Sequence, residues 1–214
     1  AGTNPVDGVE ITYKLGAGGG DATLSVTNAM GTTVREMRVP SSAGTHRVNW
    51  DLRHPAPGSA DTWQRFMNPE LGRSIADRGP WVSPGTYVVT VNARGATAST
   101  QVVVRGDPEM PITVAMYESR ERFMLEALAL TDEINTYRSE NGFGGGGRGR
   151  GGRGARLPID TPAGKLAAAA RTVQQVYSAL NGGGVRPGTL YPPTESQRAA
   201  VQNARALFEE VRGG

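Results

Sequence analysis

The chain has 214 residues, 37% of them hydrophobic, and carries 23 Lys/Arg against 20 Asp/Glu for a formal charge of +3. That size and composition support one or two domains with apolar cores. The absence of cysteine excludes disulfides and thiolate metal sites, and no run of about 18 apolar residues exists to form a transmembrane helix.

At the N-terminus, "AGTNPVDG" lacks the basic and apolar regions of a leader. The expectation is either a cytoplasmic protein or one from which a leader or larger precursor has been removed. Six segments then alternate apolar and polar residues: 9–15, 22–29, 33–39, 45–52, 86–93 and 98–105. Most are separated by Gly, Asn, Ser or Pro clusters, so they predict strands. "AMGTT" and "NARGAT" are hairpin turn signals. "GAGGGD" (16–21) has the glycines of a phosphate cradle but no helix behind it, which predicts a hairpin loop instead. Six or seven short strands over about 100 residues make an antiparallel β-sandwich pattern.

A Pro/Gly-rich insertion, roughly 54–83, interrupts the strands. It is too long for a plain hairpin, and such loops are more often functional or packed than idle. Trp50 alternates with Val48 and Leu52 and belongs to the core. Trp63, Phe66 and Trp81 predict a small cluster closing the insertion over the sheet, or a patch for a partner or sugar. Two prolines and a glycine in "VRGDPEMPIT" (104–113) end the last strand. The "RGD" within it is an expected chance match among 21 arginines and 30 glycines.

Residues 114–212 take helical spacing. Apolar positions in the first helix are Met116, Phe123, Met124, Ala127, Leu128, Ile134 and Tyr137. The second begins with Thr161 as N-cap and Pro162 in the first turn, and stops at Gly182. The third opens with Thr194 and Gln197 at capping-box spacing. Each has one apolar face to bury. Between the first two lies "GFGGGGRGRGGRGAR" (142–156). Residues 1–110 hold ten basic and ten acidic side chains, so the net charge sits in 111–214, with Arg148, Arg150, Arg153 and Arg156 in this one stretch.

Chemistry is sparse. His46 and His54 are the only histidines and lack metal-ligand spacing. His46 is most simply a surface strand residue, and Ser41, His46 and Asp51 form a triad on paper only, without a G-x-S-x-G elbow. Asp51, Asp61, Glu70 and Asp77 could supply paired carboxylates, but Asp51 is better placed to order a turn or pair with arginine. No catalytic, cofactor or metal residue is assigned, and no cofactor is expected.

The segments "VNWDLRHP", "WVSPGTYVVTVNARGATASTQVVVRGDP" and "PPTESQRAAV" together resemble the C-terminal region of bacterial secreted glycosidase-like proteins with sortilin-type (BNR/Asp-box) propellers. The first part is also similar to the Ig-like domain of flagellar hook-capping proteins. The resemblance implies an Ig-like sandwich over 1–107, a small antiparallel bundle of about three helices over 108–214, an extracytoplasmic setting, Trp50 and Tyr87 in the core, and Pro84-Gly85 as a turn into a strand. The propeller that would hold an active site is absent from these residues, so the chain is expected not to be an enzyme.

The expected role is therefore a non-catalytic interaction or structural module. It would be an accessory subunit or processed C-terminal fragment docking on a larger assembly, such as a membrane-associated electron-transfer or photosynthetic complex, and reaching the membrane only through a protein partner. The alternatives are an accessory domain of a secreted propeller-type glycoside hydrolase, and Arg/Gly-mediated nucleic-acid binding. The last has little support: one Arg-Gly-Gly triplet, one stacking aromatic and no wider basic face. Arginine forks favour carboxylates, carbonyls and phosphates. The partner contact is accordingly expected at Phe143, Arg148, Arg150, Arg153 and Arg156, with Trp63 and Phe66 as further candidates.

Overall fold

A computed structural model describes residues 8–18, 20–55, 79–143, 157–183 and 186–213. Among them the chain is mixed α and β, with six strands in two antiparallel sheets followed by three helices. Strands β1 (Val9–Leu15) and β4 (Gly44–Trp50) form one sheet. Strands β2 (Ala22–Asn28), β3 (Thr33–Arg38), β5 (Gly85–Ala93) and β6 (Ala96–Val104) form the other, in the order β3-β2-β5-β6. The two predicted hairpins, β2–β3 and β5–β6, are both present.

The glycine-rich 16–21 loop is not a hairpin. β1 pairs with β4, Ile11 opposite Val48 and Val9 opposite Trp50, while β2 pairs with β3 and β5. The loop therefore carries the chain from one sheet to the other. Arg94, at φ 57° in the β5–β6 turn, donates to the carbonyls of Gly16 (2.6 Å), Gly18 and Ser41 (2.6 Å) and so ties this crossing to the β3–β4 connection. Alternation sends Leu24 and Val26 of β2, Tyr87 and Val89 of β5, Ile11 of β1 and Val48 and Trp50 of β4 into one apolar cluster shared by the two sheets. Trp50 is fully buried, with its ring edge-on to Tyr87 at 5.4 Å.

The strand expected over 45–52 ends at Trp50. Leu52 has φ 59°, a left-handed conformation that an L side chain adopts at a cost and that no strand accommodates. That turn swings Arg53 and His54 out of the sheet toward 79–82.

The helices are α1 (Val114–Glu140), α2 (Pro162–Asn181) and α3 (Glu195–Gly213). Thr161 caps α2, its hydroxyl accepting from Gly164 N at 3.0 Å. Thr194 and Gln197 form the reciprocal capping box, Thr194 N to Gln197 Oε1 at 2.9 Å and Gln197 N to Thr194 Oγ1 at 3.2 Å. A two-residue antiparallel pair, β7 (Gly182–Gly183) with β8 (Arg186–Pro187), follows α2.

Two compact units divide after Glu121, inside α1. In the second, all three helices share one core built on Met124, Leu130, Ile134, Leu166, Val173, Leu180 and Phe208. Leu130 and Tyr117 are buried on α1 although neither figured in its expected apolar face. Lys165–Glu210 (2.5 Å) and Arg205–Glu133 (3.4 Å) bridge helices at the surface. Exposed pairs of this kind contribute little, and the apolar core carries the unit. Leu166→Ala leaves a cavity in that core, and the expected loss is about 2–5 kcal/mol, read by far-UV circular dichroism in a denaturant titration.

Candidate functional site

The residues that leave β4 meet the residues that enter β5. Arg53 and Trp81 form an isolated antiparallel bridge, His54 N donates to Pro80 O at 2.9 Å, and Val82 N donates to Leu52 O at 2.9 Å. These bonds close a neck at the base of the segment 56–78. Gly79 fits it because a Cβ there would lie 2.0 Å from the His54 carbonyl oxygen and 2.4 Å from that of Pro55.

Two arginines complete the neck. Arg53, buried, donates to Gly79 O at 2.8 Å and places its guanidinium 4.5 Å from the Trp81 ring centroid. Arg35 of β3 donates to His54 O at 3.1 Å. From the core side, Trp50 Nε1 donates to Arg53 O at 3.2 Å and Tyr87 Oη donates to Ser83 O at 2.7 Å. Burial, followed by the charges of Glu121 and Glu118, pushes the Tyr87 phenol above its ordinary value, which keeps it a neutral donor.

The polar centre is Glu121, on the second turn of α1. Its Oε1 lies 2.5 Å from His54 Nε2. Its Oε2 accepts from Ser83 N at 2.9 Å and from Ser83 Oγ. One carboxylate thus binds both stems of the neck, His54 just after β4 and Ser83 just before β5. The Glu121 side chain is only 17% exposed and that of His54 11%. Burial pushes the Glu121 carboxyl up, but the hydrogen bonds from His54 and Ser83 and the His54 charge outweigh it and hold the group below the usual carboxylate range.

The geometry limits the chemistry. In a nucleophile–base pair the serine hydroxyl faces the imidazole. Here both turn to the carboxylate, and among the described residues they do not bond each other. Ser83 is 6% exposed. Among the described residues, no group of three or more His, Asp or Glu side chains is placed to hold a metal ion.

Of the sequence-predicted partner-contact residues, Phe143 lies within the described residues. Phe143 is half-buried against the helical core, its ring stacked on Tyr137 at 6.4 Å. Arg148, Arg150, Arg153, Arg156, Trp63 and Phe66 lie outside the described residues, as do Asp61, Glu70 and Asp77. Trp81, expected to help close the insertion over the sheet, is 41% exposed and stacked on Arg53. His46 bonds the Ser42 carbonyl at 2.8 Å and leans on Tyr13. Sequence reasoning missed Ser83 and Glu121. The available signal was an acid on the buried side of α1, four residues after Tyr117 and three before Met124, both buried.

The chain matches no family model, and neither a curated protein nor a solved structure is significantly similar to it.

A native carboxyl group held below its unfolded value stabilises the fold above that value, near 4.5, and the stabilisation is lost as pH falls through the native one. Stability of the first unit is therefore expected to drop on acidification below about pH 4.5, with Glu121→Gln flattening that limb. Glu121→Ala strands His54 and Ser83 and is expected to cost on the order of 3 kcal/mol at neutral pH. All three tryptophans lie at or before residue 81, so their fluorescence reports this unit. Gly79→Ala is expected to lower its denaturation midpoint without altering the helical signal at mild denaturant.

Proposed function

We propose that the chain is a non-catalytic, extracytoplasmic interaction module that docks as an accessory subunit, or as a processed piece, on a larger protein assembly. The observation that carries this proposal is the use made of Glu121. The one Ser/His/carboxylate cluster shielded from solvent among the described residues is spent on pinning the residues that flank 56–78, His54 and Ser83, to a helix. Segments held by rigid elements are the usual carriers of recognition.

In the finer architecture we infer, 1–107 form an Ig-like sandwich and 108–214 a small antiparallel helical bundle. Two features favour the first part: both sheets feed one core around Trp50, and the Tyr87 hydroxyl returns to the backbone four residues upstream, as in a tyrosine corner. The shared core of the three helices favours the second. Partner contact is assigned to the arginines of 142–156, with Phe143 anchoring the start of that stretch on Tyr137, and to Trp63 and Phe66.

The test is mild isolation of the chain from its source cells, followed by native mass spectrometry. The expected result is co-migration with a larger assembly, weakened by deletion of 144–155 while the circular dichroism spectrum is retained. Recovery only at the mass of a single chain defeats the proposal. So does hydrolytic activity, in an esterase or glycosidase screen, that Ser83→Ala abolishes.

A further inference from the structure

We propose that β6 is a pairing edge at which a second copy of this chain adds its own β6, antiparallel, to make one continuous sheet. The two edges of the four-stranded sheet are built differently. β3 carries Arg35, Glu36 and Arg38, the charges with which edge strands ordinarily resist pairing. β6 is ATASTQVVV, nine residues without a charge or a proline. Among the described residues it pairs with β5 alone.

Both faces of β6 are open over most of its length. Every residue from Ala96 to Gln101 is exposed, including Ala98 and Thr100, which sit beside Val91 and Val89 on the core side of the sheet. Val103 is 63% exposed.

A second copy is favoured as the occupant because the strand complements itself. Its first half is small and its second half is three valines. Antiparallel pairing about a two-fold axis at Thr100 sets Ala96 against Val104, Thr97 against Val103, Ala98 against Val102 and Ser99 against Gln101. Two of the three valines then meet alanines, the third meets Thr97, and Thr100 faces Thr100, a favourable cross-strand pair. No charge meets its like at any position. A parallel arrangement would stack valine on valine and leave the small half unfilled. The two-fold relation closes the contact after two copies.

The test is analytical ultracentrifugation of the full chain between about 1 µM and about 1 mM. A monomer–dimer equilibrium is expected. Thr100→Lys and Thr100→Glu each set like charges face to face at the axis and are expected to weaken the dimer at least about tenfold. An equimolar mixture of the two is expected to restore it, which a variant that merely damaged the fold would not do. Should either variant fail to fold, Gln101→Lys puts the charge on the other face of the strand and serves in its place. A chain that stays monomeric across the range, or a dimer indifferent to these charges, overturns the proposal. An edge that instead recruits a strand of a different protein overturns it too, and would show as a monomer alone whose complex Thr100→Lys disrupts.

Discussion

The first unit is organised around one carboxylate. Glu121 receives His54 through one oxygen and Ser83 through the other, the serine by both its amide and its hydroxyl. His54 lies just after β4 and Ser83 just before β5, on either side of residues 56–78. Closing a long connection costs conformational entropy that grows slowly with its length. A short neck fixed by directional bonds holds the two ends of the connection at 54–55 and 79–83 together. The neck's backbone pairing and the Arg53–Gly79 bond both need the two stems at one spacing. Glu121 bonds to both.

The same arrangement accounts for a largely shielded acid in a domain of modest size. A desolvated carboxylate is tolerated only when its lone pairs are filled. Three donors fill them here, two of them from a single residue. Tyr87 contributes indirectly: by donating to the Ser83 carbonyl it fixes the backbone whose N–H faces Glu121. Trp50 packs on Tyr87 and donates to the Arg53 carbonyl, so the apolar core and the polar neck share residues. A cavity beneath Trp50 would be felt at Glu121 without any direct contact between them.

Local features were legible in the sequence wherever the determinant was local. Alternation located the six strands, and the Thr161 and Thr194 caps located two helix starts within a residue. Misreadings arose where a partner distant in sequence decides. A glycine-rich turn specifies that the chain reverses, not which strand it reaches, and β1 goes to β4. Leu52 continues the alternation of β4, but the neck bonds pull it to positive φ. The Glu121–His54 contact spans 67 residues and joins a strand end to a helix, so no spacing rule reaches it. Only the placement of an acid on the buried side of α1 hinted at a polar partner.

The two halves of the first unit also divide its constraints. On the side of the β3 edge, Arg35 is turned inward to the His54 carbonyl, and the neighbouring charges of β3 leave that edge poorly suited to further pairing. The β5–β6 hairpin is fixed at its turn by Arg94, which grips three carbonyls from two other connections. Among the described residues, its outer strand is paired on one side, with β5. The turn and the pairing with β5 let β6 present nine uncharged residues in a set register. An edge that is preorganised and chemically undefended loses little conformational freedom when another strand is added. The asymmetry between β3 and β6 is thus a property of where the arginines are spent.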